Sequence, residues 1–297
     1  MPVPSILQSR FVLVGPGRAG MALARSWVRA GGAISQVVGQ TSESAASAGR
    51  ELGASGRTAE DAPPDCDLLV LAVPDDRIAQ VAGELARRTT PRFAFHLSGA
   101  LGSSLLAPFS RRGAATASLH PLRAFTGDPG DDWRGALVAI EGEPEAVEAA
   151  ERLAEALGAI GYRIRSESKP LYHAAAALAA GGTMALLSVA VRAAVDAGLP
   201  EEQARPALAR LASEAAAATA GRPFAGAFTG PVARRDVETV REHLRAASGR
   251  PDFLGLYERL AKEILAETSG RGQEEQILAI LEEMAHRGPT EDPRRGK

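Results

Sequence analysis

The chain has 297 residues, 45% hydrophobic and 24% charged, which suits a folded protein long enough for two domains. Lysine and arginine number 34 against 36 aspartates and glutamates, a net charge of -2 that gives no electrostatic reason to expect nucleic acid or an anionic membrane as partner. The single cysteine, Cys66, excludes an intramolecular disulfide and a cysteine-built metal cluster.

The opening MPVPSILQSR has neither a long apolar core nor a small-residue cleavage site, so no secretory leader is expected. The richest apolar stretch, Ala174 to Val195, is mostly alanine and carries Gly181, Gly182 and Arg192, so no membrane span is expected either. These features predict a reduced, cytoplasmic protein.

Phe11 to Val14 is short, apolar and β-branched enough for a buried parallel strand. Gly15, Gly17 and Gly20 follow in the spacing G-x-G-x-x-G, and an amphipathic helix pattern runs on to Gly31 and Gly32. Strand, glycine loop and helix together are the context that makes this spacing a dinucleotide-binding signal. Gly15 permits the turn, Gly17 lets a pyrophosphate approach bare backbone, and Gly20 lets helix and sheet pack closely. The loop Gly15, Pro16, Gly17, Arg18, Ala19 and Gly20 is therefore the expected phosphate cradle, with the positive end of the helix behind it.

The second strand, Ile34 to Gly39, ends in Gln40, Thr41 and Ser42, with no carboxylate before Glu43. An acidic residue here would bind the ribose 2′-hydroxyl of NAD and repel a 2′-phosphate. The Thr41 and Ser42 hydroxyls favour NADP, with Arg18, or Arg50 and Arg57, supplying charge. A helix is predicted over Ser44–Leu52 and irregular chain from Gly53 to Pro64. Asp67 to Asp75 reads as a buried strand whose carboxyl edge, at Val73, Pro74 and Asp75, borders the cofactor. Asp75 also suits a helix cap. Further strands are predicted at Phe93–His96, Ala114–Pro121, Leu137–Ile140 and Tyr162–Ile164, with a helix from Pro144 to Leu157. This alternation predicts an α/β, doubly wound parallel sheet. From Lys169 onward only helical stretches follow, near 169–197, 200–220, 232–247, 252–267 and 273–284. The predicted division is residues 1–167 as the nucleotide-binding domain, 168–287 as an all-helical domain, and 288–297 as a polar tail. The small residues Ala174 to Gly182 suit close helix packing, either within the chain or against a second subunit.

Candidate chemistry gathers in three places. His96, Ser98 and His120 sit at strand ends on the edge where a nicotinamide would lie. A histidine of ordinary pKa can give a proton at neutral pH, although each could equally bond a loop carbonyl. Lys169 and His173 are four apart and share a helix face, so Lys169 could polarise a carbonyl or donate a proton, or simply be solvated. Thr229-Gly230-Pro231 with Arg234 suits a helix start, Thr229 capping it and Arg234 offering a carboxylate site. The spacing of His96, His120 and His173 does not support a metal site.

The run VGPGRAG, VLAVPD, HLSGAL, SLHPLRAF, KPLYHAAA and TGPVARRD, in this order, resembles a bacterial family of Rossmann-like proteins assigned as NADP oxidoreductases, which carry a C-terminal domain of unknown function, DUF2520. More distantly it is similar to pyrroline-5-carboxylate reductases, ketopantoate reductases, prephenate dehydrogenases and β-hydroxyacid dehydrogenases. The resemblance implies an NADP-binding Rossmann domain, an all-helical C-terminal domain that is often dimeric, and a small-molecule site between the two. In β-hydroxyacid dehydrogenases a lysine one turn before an asparagine serves in proton transfer. Lys169 matches that lysine, while His173 stands in the asparagine's place. Ser98-Gly99 is similar to the serine–glycine pair those enzymes set beside substrate, with Ala100 replacing a second glycine. Gly181 stands where the closer family would have an asparagine. The expectation is an oxidoreductase acting on a small carbonyl, imine or hydroxy acid, with His120 or Lys169 as proton donor and Ser98, His173, His96, Thr229 and Arg234 around the substrate. The competing expectation is an NADP-binding sensor or structural protein without turnover.

Overall fold

A computed structural model describes residues 6–61, 66–270 and 272–286. The expected tail at 288–297 lies outside the described residues. The chain divides into two compact units, 1–179 and 180–297.

The first unit is built on β1 (Phe11–Val14), α1 (Arg18–Arg29), β2 (Ile34–Gly39), α2 (Ser42–Leu52), β3 (Ser55–Thr58), β4 (Leu68–Leu71) and α3 (Ile78–Ala86). It continues with β5 (Phe93–His96), α4 (Ala107–Ser110), β6 (Ala115–Pro121), β7 (Leu137–Gly142), α5 (Pro144–Ala156), β8 (Ile160–Arg163) and α6 (Lys169–Ala177). The eight strands form one sheet in the order β3-β2-β1-β4-β5-β6-β7-β8. Strands β1 and β4 alternate their side chains between two apolar layers, Phe11, Leu13, Leu68 and Val70 facing α1 and α5, and Val12, Val14, Leu69 and Leu71 facing α3. A strand buried on both faces reads as an unbroken apolar run, which is why FVLV and LLVL were visible in the sequence.

Two departures from the expected sheet matter. The region expected to be irregular contains β3, a parallel edge strand beside β2. Its residues Ser-Gly-Arg-Thr are polar and half covered, so no apolar run announces it. The sheet is also not wholly parallel, because β7 runs antiparallel to β6. This reversal pairs Ser118 with Glu141 and His120 with Ala139.

Helix α6 continues through a π turn at Leu178–Gly182 into α7 (Thr183–Asp196). Gly181 and Gly182 do not break the helix; they are absorbed in the wider turn. Contrary to the sequence expectation, the helix over Ser166–Asp196 is by length and composition long and apolar enough to cross a membrane. Little of it is buried, with Leu171 78%, Leu178 74% and Met184 68% exposed.

The second unit continues with α8 (Glu201–Ala217), α9 (Phe224–Ala227), α10 (Pro231–Arg234), α11 (Val237–Ala246), α12 (Pro251–Glu267) and α13 (Glu274–His286). The single helix expected over 232–247 is broken at Arg235, which adopts φ 60°. Asp236 then caps α11 by accepting the Thr239 amide at 3.2 Å. The buried Arg235 guanidinium explains the break, since it bonds the carbonyls of Val232, Ala233 and Thr268 and pairs with Glu274 at 3.0 Å.

Candidate active site

The glycine loop has the geometry its spacing implied. Gly15 has φ +93°, and a side chain there would meet the Ala72 carbonyl oxygen at 2.6 Å and Val73 at 3.0 Å. A side chain on Gly20 would meet the Gly15 carbonyl at 2.3 Å, so loop, α1 and the β4 exit are packed backbone to backbone. Gly17 differs: nothing lies within 4 Å of where its Cβ would stand. The open face over Gly17, the N-cap of α1, is a cradle the protein itself does not fill.

The second strand's end presents Thr41 as N-cap of α2, its hydroxyl accepting the Ser44 amide at 3.1 Å, with Ser42 opening the helix. Strand β3 sets Arg57 beside Val38 and Thr58 beside Gly39, bringing a cation to the strand that ends at this turn.

The β4 exit does not use Asp75 as a helix cap, as one sequence reading had it. Pro74 precedes a short 3₁₀ turn at Asp75–Arg77, and the Asp75 carboxylate accepts the Ser98 hydroxyl at 2.9 Å. Ser98 Oγ in turn accepts the Leu101 amide at 3.0 Å. His96 is fully buried and closes the same loop: its Nδ1 accepts the Ser98 amide at 3.1 Å, so Nε2 carries the proton and donates to the Gly102 carbonyl at 3.1 Å. Burial pushes its pKa down to about 4. Both ring nitrogens are committed inside the loop, which leaves none for a substrate. Among the described residues no group of three or more His, Cys, Asp or Glu is arranged to hold a metal ion.

His120, at the end of β6, lies against α6. Its Nδ1 and the Tyr172 hydroxyl are 2.9 Å apart, and that hydroxyl donates to the His120 carbonyl at 3.3 Å. Satisfying both contacts puts the ring proton on Nδ1 and makes Nε2 an acceptor. Burial, reinforced by His173 and Lys169, pulls the His120 pKa to about 4, so the ring is neutral at pH 7 and not the ordinary cationic donor the sequence suggested. The His120 and His173 rings meet edge to face with centroids 5.5 Å apart. A Cβ on Gly99 would stand 2.5 Å from His173 Nδ1 and 2.8 Å from His120 Nε2, so both nitrogens face this glycine. His173 Nδ1 is buried and, among the described residues, has no hydrogen-bond partner.

Lys169 shares the inward face of α6 with His173, as their spacing required, but it is not solvated. It is fully buried, and Nζ donates to the Ser98 carbonyl at 2.9 Å and to Ser118 Oγ at 2.7 Å. Burial lowers its pKa to about 8, opposed by the charges of Glu141 and Asp75. Ser118 and Glu141 were missed by the sequence reading. Ser118 donates to Glu141 Oε1 at 2.7 Å, and the carboxylate also takes the Ser103 amide at 2.7 Å and hydroxyl at 3.0 Å. Lys169 itself stood out further in composition: the chain has only three lysines, 169, 262 and 297, and uses arginine for nearly all its positive charge.

In the second unit Gly230, not Thr229, is the N-cap of α10, and no side chain caps it. The Arg234 guanidinium donates to the Thr229 carbonyl within that loop.

The sheet, with its glycine loop at the β1–α1 turn, is that of a Rossmann-like protein, and residues 5–121 match the Rossmann-like domain. Residues 136–264, which follow it, match the domain of unknown function DUF2520. No curated protein matches it. Among solved structures it is similar to BF3122 of Bacteroides fragilis, a proposed NADP oxidoreductase, with TM-score 0.73 and 23% identity over 88% of this chain and 99% of that one. It is also similar to the pyrroline-5-carboxylate reductase of Coxiella burnetii (TM-score 0.59, 14% identity, 95% and 100% covered). The imine reductase of Myxococcus stipitatus, in complex with NADP+, gives TM-score 0.59 at 17% identity, with 91% and 98% covered. At these identities the likeness is one of fold, a fold shared with NAD(P)-dependent reductases and dehydrogenases.

Proposed function

We propose that this protein is an NADP(H)-dependent oxidoreductase acting on a small carbonyl, imine or hydroxy acid. The observation that carries the reading is the open backbone at Gly17 on the sheet edge that also bears His120, with Lys169 and His173 of α6 packed against it. Gly15, Pro16, Gly17, Arg18, Ala19 and Gly20 would hold the pyrophosphate, Val73 and Pro74 would border the cofactor, and Thr41, Ser42 and Arg57 would face the 2′-phosphate. Bound there, NADP(H) supplies or accepts the hydride.

The chain's own residues handle protons and orientation. Lys169, with its pKa about 8, holds a proton it can release near neutral pH. Neutral His120 offers Nε2 as an acceptor for a hydroxyl or ammonium proton. His173 Nδ1, without a hydrogen-bond partner among the described residues, orients the substrate's polar atom. Ser98, already tied to Asp75, shapes the loop beside them. Arg234 and Thr229 carry no step in this scheme.

The partner of the exposed α6–α7 helix is, in this reading, a second copy of the chain. Leu171, Leu178 and Met184 are exposed apolar side chains whose burial in a homodimer would stabilise both copies. Sedimentation of the intact chain tests it: a dimer weakened by Leu178→Asp is expected, and a monomeric wild type contradicts it.

The activity is tested by following NADPH oxidation, and NADP+ reduction in reverse, against a panel of cyclic imines, keto acids and hydroxy acids. Turnover that falls in His120→Ala and Lys169→Ala, with NADPH affinity kept, is the expected result. Tight NADPH binding with no turnover on any member identifies a sensor instead.

A further inference from the structure

Behind the proposed site, Lys169 is joined to two further buried polar groups, Ser118 and Glu141. Lys169 and Ser118 are wholly enclosed and Glu141 is 6% exposed. Lys169 Nζ donates to Ser118 Oγ, and Ser118 Oγ donates to Glu141 Oε1, each at 2.7 Å. The hydroxyl thus receives one proton and gives another, which is the geometry of a proton-passing link. Lys169 and Glu141 come from the DUF2520 match and Ser118 from the Rossmann-like match, so the antiparallel pairing of β6 with β7 assembles the link.

A buried ammonium is stable only beside a compensating charge. The other groups acting on Lys169 are Asp75 after β4, which is already bonded to Ser98, and the imidazoles of His96 and His120. His173 lies on the same helix. Of these only Glu141 is joined to Lys169 through a single hydroxyl.

We infer that Glu141, acting through Ser118, is the positioning residue that sets the charge of Lys169, the three side chains sharing protons as one unit. As Ser118 Oγ takes a proton from Lys169 Nζ, it passes its own to Glu141 Oε1. The ammonium and carboxylate become an amine and a carboxylic acid, with no change in net charge and no further reactant. The return step moves both protons back and regenerates the ammonium that serves the site. The inference rests on Lys169 serving the proposed active site, but its test needs neither cofactor nor substrate, so it can fail while the cofactor reading stands.

The experiment is a pH titration of the full chain carrying 13Cε-labelled lysine, observed by NMR. With only three lysines in the sequence, Lys169→Arg assigns the resonance. The wild-type residue is expected to titrate near 8. In Glu141→Gln its proton affinity should fall on the order of tenfold, as expected when a nearby compensating charge is removed. Glu141→Asp should recover part of that loss. Ser118→Ala, which keeps both charges, provides a second variant should Glu141→Gln not fold, and it should also weaken proton binding. A Lys169 titration that superimposes on wild type in either folded variant overturns the inference.

Discussion

Acid should weaken the fold measurably through His96. The ring is fully buried with both nitrogens bonded, and its pKa is about 4 when folded against 6.5 in an open chain. The unfolded chain therefore takes up the proton first, and the stability His96 contributes is present above 6.5 and lost as pH falls towards 4. Between about pH 7.5 and about pH 5 this one group removes about 2 kcal/mol, a sizeable part of the roughly 5–15 kcal/mol that holds a domain together. Urea unfolding at both pH values measures the loss. His96→Phe keeps a ring in place but cannot titrate; it should be less stable near neutrality, because two hydrogen bonds are gone, and should lose about 2 kcal/mol less on acidification. An acid slope in the variant equal to that of wild type would refute the reasoning.

Other substitutions probe separate contacts. Gly99→Ala drives a methyl group against His173 Nδ1 and His120 Nε2, and should cost about 1–3 kcal/mol in thermal or urea unfolding while lowering turnover. Arg235→Met leaves the Val232, Ala233 and Thr268 carbonyls without their buried donor and should cost about 3 kcal/mol or more, read as a loss of helical circular dichroism at lower denaturant. Gly15→Ala meets both a backbone oxygen and a positive φ, so its melting temperature should fall, unlike that of a substitution at Gly17.

The parts legible in the sequence were those governed by local rules. FVLV followed by three glycines and an amphipathic helix admits few other arrangements, and the four-residue spacing of Lys169 and His173 places them on one face in any helix. What stayed hidden depended on tertiary pairing. Strand β3 was missed because a polar edge strand has no apolar signature. The reversal of β7 lies beyond a connection from Leu122 to Ala136 whose length permits either direction, and without it Glu141 has no visible link to Ser118. For the same reason Asp75 looked like a cap: only the folded sheet brings Ser98, from the neighbouring strand's exit, to its carboxylate. His120 was given an ordinary pKa because composition does not reveal burial.

If a nicotinamide dinucleotide binds across the bare backbone at Gly17, a fluorescence titration of NADPH with wild type and Gly17→Val must separate the two proteins. Nothing lies within 4 Å of where the new Cβ would stand, so the variant should fold. It should nevertheless lose NADPH binding by about a hundredfold or more, since the valine would fill the space the pyrophosphate needs. Equal affinity in both proteins, or no binding by wild type, would contradict the account.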